Sequence, residues 1–238
     1  MKNHLTPLLL LLIIMLQSGY LFSQSVVDLK LIGRYSSNVY DGGGTEIAAY
    51  DPATSHLFSV NASTGTLDII DLSDPSDPVF LSAIDLGPYG AAANSVAIKN
   101  GVVVAAVEDT IKQQNGKAVF FDAAGNYLNH VEVGALPDMI TFSPDGNKVL
   151  VANEGEPNSD YSIDPVGSVS IIDISGGIAG LTQANVTTLD FSAYNNTILD
   201  PSIRVYGPNA TVAQDMEPEY IAVSGNSEKA YVTLQENN

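Results

Sequence analysis

The sequence predicts an all-β protein, a β-propeller of four-stranded antiparallel blades present as the amino-terminal part of a ring. Three observations carry that prediction. The segments GTLDIID (65–71), GKAVFFD (116–122) and GSVSIID (167–173) superpose without gaps, and their closing residues Asp71, Asp122 and Asp173 lie 51 residues apart. A paired element precedes them: TEIAAYDPATSHLFSVN (45–61) matches PDMITFSPDGNKVLVAN (137–153) and PEYIAVSGNSEKAYVTL (218–234), with NSVAIKNGVVVAAVED (94–109) as a short-turn version. Val, Ile, Ala and Phe alternate through these segments, and no long stretch shows a 3.6-residue period.

A repeat of about 40 to 50 residues holding four strands is the pattern of a propeller blade. A lone blade leaves a hydrophobic face uncovered, so blades stabilise one another by stacking around an axis. The strands are named A to D outward. A strands begin near 46, 94, 138 and 219; B strands end near 61, 108, 153 and 235; C strands are the glycine-to-aspartate segments. PVFLSAIDLG (78–87), YLNHVEVG (127–134) and ANVTTLDFS (185–192) supply D. The predicted blades are 46–87, 94–134, 138–192 and an incomplete 219–238. SPDG (143–146) and DLSDPSDP (71–78) read as the turns between A and B and between C and D. Asp71, Asp122, Asp173 and Asp145 read as turn-capping carboxylates. The segment VVDLKLIGRYSS (26–37) resembles a D strand with nothing before it, and is expected to close the ring against the last blade. Three and a half blades are too few for a closed ring, so further blades are expected in a longer protein.

The chain opens MKNHLTPLLLLLIIMLQSGYLFSQ, a basic start and a short apolar run of the secretory-signal type, so residues 1–24 are expected to be removed and 25–238 to form the propeller part. A secreted or cell-surface location follows, with no transmembrane segment in the mature chain. The formal charge of −18 sets nucleic acid and anionic lipid aside as partners and attracts cations. There is no cysteine, so neither disulfides nor thiol chemistry contributes. Of three histidines, His4 lies in the signal and His56 and His130 lie in strands, which argues against a histidine-rich zinc centre.

In such a blade the loop entering A and the loop joining B to C share one rim. Glu46, Asn94, Asp138 and Glu219 stand at the start of A. Asn61, Glu108, Asn153 with Glu154, and Gln235 with Glu236 stand at the end of B. The third blade's B–C connection, NEGEPNSDYSIDPVG (153–167), adds Glu156, Asp160 and Asp164. The long connection 193–220 brings Asp200, Asp215 and Glu217. The predicted metal-ligating set is Asp138, Glu154, Glu156, Asp160, Asp164, Glu217 and Glu219. Oxygen-only ligands suit Ca²⁺, or Mg²⁺ with retained waters. The spacing matches neither an EF-hand nor the glycine-rich nonapeptide repeat, and acids on an acidic protein are also read as solvated loop charges. Tyr161, Tyr206 and Tyr220 offer stacking surfaces, with inter-blade packing the expected role of Tyr220. Arg204 is expected to pair with a nearby acid. No G-x-S-x-G, H-E-x-x-H or P-loop appears, so no catalytic residue is assigned.

The stretch LPDMITFSPDGNKVLVANEGEPNSDYSIDPVGSVSIIDIS (136–175), and YGPNATVAQDMEPEYIAVSGNSEKAYVTLQENN (206–238) after it, resemble the choice-of-anchor I bacterial surface proteins. Members carry labels such as mesenchyme-specific cell surface glycoprotein or alkaline phosphatase-like. The resemblance implies an extracellular, YVTN- or WD40-like propeller, attached to the envelope by a sorting signal that varies between members. Two functions compete. One is a binding or scaffolding module for an extracellular protein, glycan or small molecule, with a divalent cation on its acidic rim. The other is a metal-dependent phosphoesterase, or the propeller part of one, using Asp138, Glu154, Glu156 and Glu219.

Overall fold

The computed structural model describes residues 28–237; the expected signal peptide lies outside the described residues. Among these described residues, fourteen strands form three four-stranded antiparallel sheets and one two-stranded sheet. The first blade is β1 (Ala48–Asp51), β2 (His56–Asn61), β3 (Thr66–Asp71) and β4 (Val79–Asp85). The second is β5 (Ala93–Lys99), β6 (Val102–Val107), β7 (Asn115–Asp122) and β8 (Tyr127–Ala135). The third is β9 (Pro137–Phe142), β10 (Lys148–Asn153), β11 (Ser168–Asp173) and β12 (Val186–Asp190). A half blade holds β13 (Ile221–Val223) and β14 (Ala230–Val232). Each sheet is a meander in chain order, as the repeat predicts.

Blades stack because their strands are apolar on both faces. Along β6, Val103, Ala105 and Val107 enter a core shared with Phe58, Leu67 and Ile69 of the first blade. The alternate residues Val104 and Ala106 enter a second core with Ile140, Val149 and Ile172 of the third. Period-two alternation sends neighbouring side chains to opposite faces, so the unbroken run VVVAAV marks a strand covered on both sides. Phe121 and Phe120 divide the same way. A smaller core joins Met139, Leu150, Ala152 and Val169 to Ile221 of the half blade.

The repeated aspartates do what their position after C dictates. Asp71 Oδ1 accepts from the Ser73 amide (2.8 Å) and hydroxyl (2.6 Å), and Asp173 Oδ1 from the Ser175 amide (3.0 Å) and hydroxyl (2.6 Å). Asp122 Oδ1 accepts from the Ala124 and Asn126 amides. In the SPDG turn, Asp145 Oδ1 accepts from the Ser143 hydroxyl and the Asn147 amide. Such bonds to a residue's own chain two places on fix a turn without tertiary help.

Residues 28–37, the described part of the anticipated ring-closing strand, form no strand. A closing outer strand pairs with a C strand, and the half blade contains only the A and B strands β13 and β14. Among the described residues no helix is long and apolar enough to cross a membrane.

Candidate functional site

The A strands line an axial channel of about 610 Å³, with Glu46, Asn94 and Asp138 at equivalent positions along it. Asn94 Nδ2 donates to the Pro137 carbonyl (3.2 Å) and to Glu108 Oε2 (3.4 Å), latching the second and third blades at this rim. Tyr220 lines the channel and is 62% exposed.

Beside the channel, the long B–C loop of the third blade is held at both ends. The Glu154 and Gly155 amides donate to the Leu136 and Ala135 carbonyls, continuing the sheet past β10. At the far end the Gly167 amide donates to the Ala213 carbonyl (2.9 Å). Asn158 folds the tip: its amide donates to the Ile163 carbonyl, and its Oδ1 accepts from the Ile163 amide. Gln113, from the second blade, donates to the Glu156 carbonyl (3.2 Å).

The connection after β12 is organised around a buried acid. A helical turn, α1 (Val212–Asp215), is capped by Thr211, whose hydroxyl accepts from the Gln214 amide. Asp215 is 6% exposed and accepts from the amides of Gly207 (2.7 Å) and Tyr206 (2.9 Å). Asn237 Nδ2 donates to the Asp215 and Arg204 carbonyls. Asp215 is thus a structural anchor, and the chain leaving it delivers Glu217 to the rim.

Glu154, Glu156, Glu217 and Glu236 line one cleft of about 310 Å³, together with Tyr161 and Tyr206. Tyr206 Oη donates to Glu236 Oε2 (3.0 Å), and the Arg204 guanidinium lies 5.1 Å over the Tyr206 ring. Burial, followed by the charges of Asp138, Glu156, Glu217 and Glu219, pushes the Glu154 carboxyl up to about 8. Burial, then Glu156 and Glu236, pushes Glu217 up to about 7. Asp138 is raised by burial and then by Glu156, and Glu219 by burial and then by Asp138 and Glu236. Like charges gathered in a partly desolvated place disfavour ionisation, so the cleft has an electrostatic demand for protons or cations.

Five of the seven predicted ligands, Asp138, Glu154, Glu156, Glu217 and Glu219, therefore share one electrostatic environment. Asp164 lies at its edge: burial and then Asp215 raise it, and its Oδ1 is buried without a hydrogen-bond partner. Asp160 is not brought in. Its exposed carboxylate accepts from the Ser162 amide and hydroxyl and is lowered by them, as in any such turn. Glu236, outside the predicted set, belongs to the cleft; the signal for it was its place at the end of a B strand. Asp200 likewise caps a local turn with Ser202. His56 stands at the start of β2, away from the rim, and His130 Nδ1 meets the Tyr127 hydroxyl on the outer strand β8. Among the described residues no three acidic or histidine side chains stand where they would ligate one ion together. The rim is thus an acidic cleft and not a closed coordination shell.

The sequence profile of the choice-of-anchor I domain matches residues 46–238. This chain belongs to the choice-of-anchor I family. The match begins at the rim residue Glu46 and takes in every blade. No curated protein matches this choice-of-anchor I chain. Solved structures similar to it include hydrazine synthase of Kuenenia stuttgartiensis, at 13% identity over 80% of this chain and 62% of that one, TM-score 0.39. The Cps50 (Swd1) β-propeller domain of Myceliophteria thermophila shows 11% identity over 82% and 51%, TM-score 0.49. The chain spans less than two thirds of either. The propeller architecture of this family member rests on its own repeated meander, with a surface β-propeller module as the coarse functional class.

Proposed function

We propose that this choice-of-anchor I chain is part of an exported, cell-surface binding or scaffolding module whose ligand face is the acidic rim, neutralised there by a divalent cation. One observation carries the reading: Glu154, Glu156, Glu217 and Glu236 line a single cleft, and two of them are pushed to about 8 and about 7. A cation entering the cleft replaces mutual repulsion with attraction. Among the described residues no three of the carboxylates stand where they would ligate one ion together, so the cation proposed keeps several waters, as Ca²⁺ or Mg²⁺ does in an open site. The two tyrosines beside it give a partner an apolar surface with polar tips.

Titration with calcium chloride, with magnesium chloride as comparison, tests the reading. The melting temperature rises and cleavage within 154–167 slows, and Glu154→Gln combined with Glu217→Gln removes both responses. Absence of either response in the unmodified chain overturns the cation. A phosphomonoester is assayed in the same samples; turnover lost in Asp138→Ala and Glu154→Ala replaces binding with hydrolysis.

A further inference from the structure

The outer strand of the second blade, β8, is met at its edge by a side chain from the third. The Glu132 amide donates to Gln183 Oε1 (2.9 Å), and Gln183 Nε2 donates back to the Glu132 carbonyl (3.0 Å). One side-chain amide thus makes the pair of bonds that a neighbouring strand would make. Asn129 Nδ2 ties the same segment down through the Ile178 and Leu181 carbonyls, both at 2.9 Å. That segment is the C–D connection of the third blade, residues 174–185, and Leu181 seats it in the second core.

The equivalent edge of the first blade is bare. The pairs Thr66–Asp85 and Asp68–Ala83 correspond to Lys117–Glu132 and Val119–His130. The Leu86 amide donates to the Gly65 carbonyl (3.1 Å), which leaves the amide and carbonyl of Asp85 turned away from β3. Ala83, two residues back, turns its own the same way. Among the described residues nothing bonds either peptide group. By the repeat, cover would come from the C–D connection of the second blade, which is only the turn 123–126. A Cβ at Gly125 in that turn would stand 3.2 Å from the Ile84 side chain, so the turn rests on the face of the first blade. Both blades stand whole among the described residues, so the bare edge follows from a short turn between complete strands. Both outer strands also slip register at one residue, Leu81 and Leu128, and in β8 the slip does not hinder pairing further on at Glu132.

Open edges are commonly blunted by lysine or proline. Residues 79–85, VFLSAID, hold neither, and Val79 and Leu81 remain 49% and 46% exposed. We infer that the outer edge of β4 docks an extended segment of another polypeptide as a fifth strand, through the outward peptide groups of Ala83 and Asp85. Main-chain bonds of this kind supply affinity, and flanking charge selects the partner. Asp74 and Asp77 precede the edge and Asp85 ends it, so the segment that fits carries basic residues at its ends. A second copy of this chain would set its own acids against these, on a formal charge of −18.

The full chain is titrated with the peptide acetyl-Lys-Val-Thr-Val-Thr-Lys amide, following backbone amides by nuclear magnetic resonance. The Ala83 and Asp85 amides shift and exchange more slowly with solvent. The same peptide N-methylated at its four central residues lacks the pairing donors and leaves them unmoved, and glutamate in place of both lysines weakens binding at low salt. Asp85→Pro deletes the outward donor, keeps the bond from Leu86 to Gly65, and weakens binding roughly tenfold. Unmoved Ala83 and Asp85 amides, equal shifts with the N-methylated or the glutamate peptide, or unchanged affinity in Asp85→Pro overturn the inference. So does protection of these amides that rises with protein concentration in the absence of peptide, the mark of two copies pairing.

Discussion

The side-chain amide of Gln214 donates to the backbone carbonyl of Asp164 across 2.8 Å, tying the helical turn Val212–Asp215 to the end of the acidic loop. One residue cluster further on, Gly167 lies directly under the Met216 carbonyl, so any Cβ at 167 overlaps backbone. These two contacts are what bring Glu217 beside Glu154. Gly167→Ala is therefore expected to push the connection off the loop and to cost about 1–3 kcal/mol, as overpacking does. Urea denaturation reads the cost, and limited proteolysis at 195–217 reads the displacement.

Carboxylates at the turns and at the rim drive stability in opposite directions with pH. Asp71, Asp122, Asp145 and Asp173 are lowered by bonds from Ser73, Asn126, Ser143 and Ser175 respectively, Asp145 to about 2. Their contribution is complete above the unfolded value of 3.8 and is lost as pH falls through the folded values. Glu154 and Glu217 are raised from 4.5 to about 8 and about 7. The folded chain then keeps protons that the unfolded chain has released, so their contribution is complete below 4.5 and is lost as pH rises through 7 to 8. Urea midpoints are expected to peak at mildly acidic pH and to decline toward both ends.

Glu154→Gln removes the repulsion without removing the shape of the side chain. At alkaline pH it is expected to raise stability by about 1 kcal/mol, below the full linkage value because solvent screens a partly exposed rim. The decline on the alkaline side flattens in the same variant. An unchanged pH profile in Glu154→Gln shows that the carboxylates do not interact.

Asp160 supplies the control for the cation. Its carboxylate is committed to Ser162, so Asp160→Asn is expected to leave the calcium response of the melting temperature unchanged while loosening the tip of the loop. Loss of the calcium response in this variant returns Asp160 to the ligand set.

Phe120 and Phe121 are adjacent, nearly unexposed, and face different cores. In a blade covered on both sides each substitution by alanine costs about 3–5 kcal/mol, whereas a sheet with one wet face loses that much at only one of them. Equilibrium unfolding of the two variants distinguishes these cases.

What was legible in the sequence is whatever depends on local chemistry repeated at a fixed spacing. The glycine-to-aspartate C strands, the SPDG turn and the alternation in VVVAAV each name their structure, because a capped turn and a two-faced strand are decided within a few residues. The rim was legible as far as topology carries it: the ends of A and B strands meet, so Asp138, Glu154 and Glu219 fall together and Glu236 follows by the same rule. Only the folded chain decided the rest. A charge's role inside a loop depends on which way the backbone turns, so Asp160 spends its carboxylate on Ser162 while Glu156, four residues earlier, lines the cleft. Periodicity encodes which face a residue takes, but the charge and space waiting at that face are set by segments distant in sequence, and those meet only in the tertiary structure.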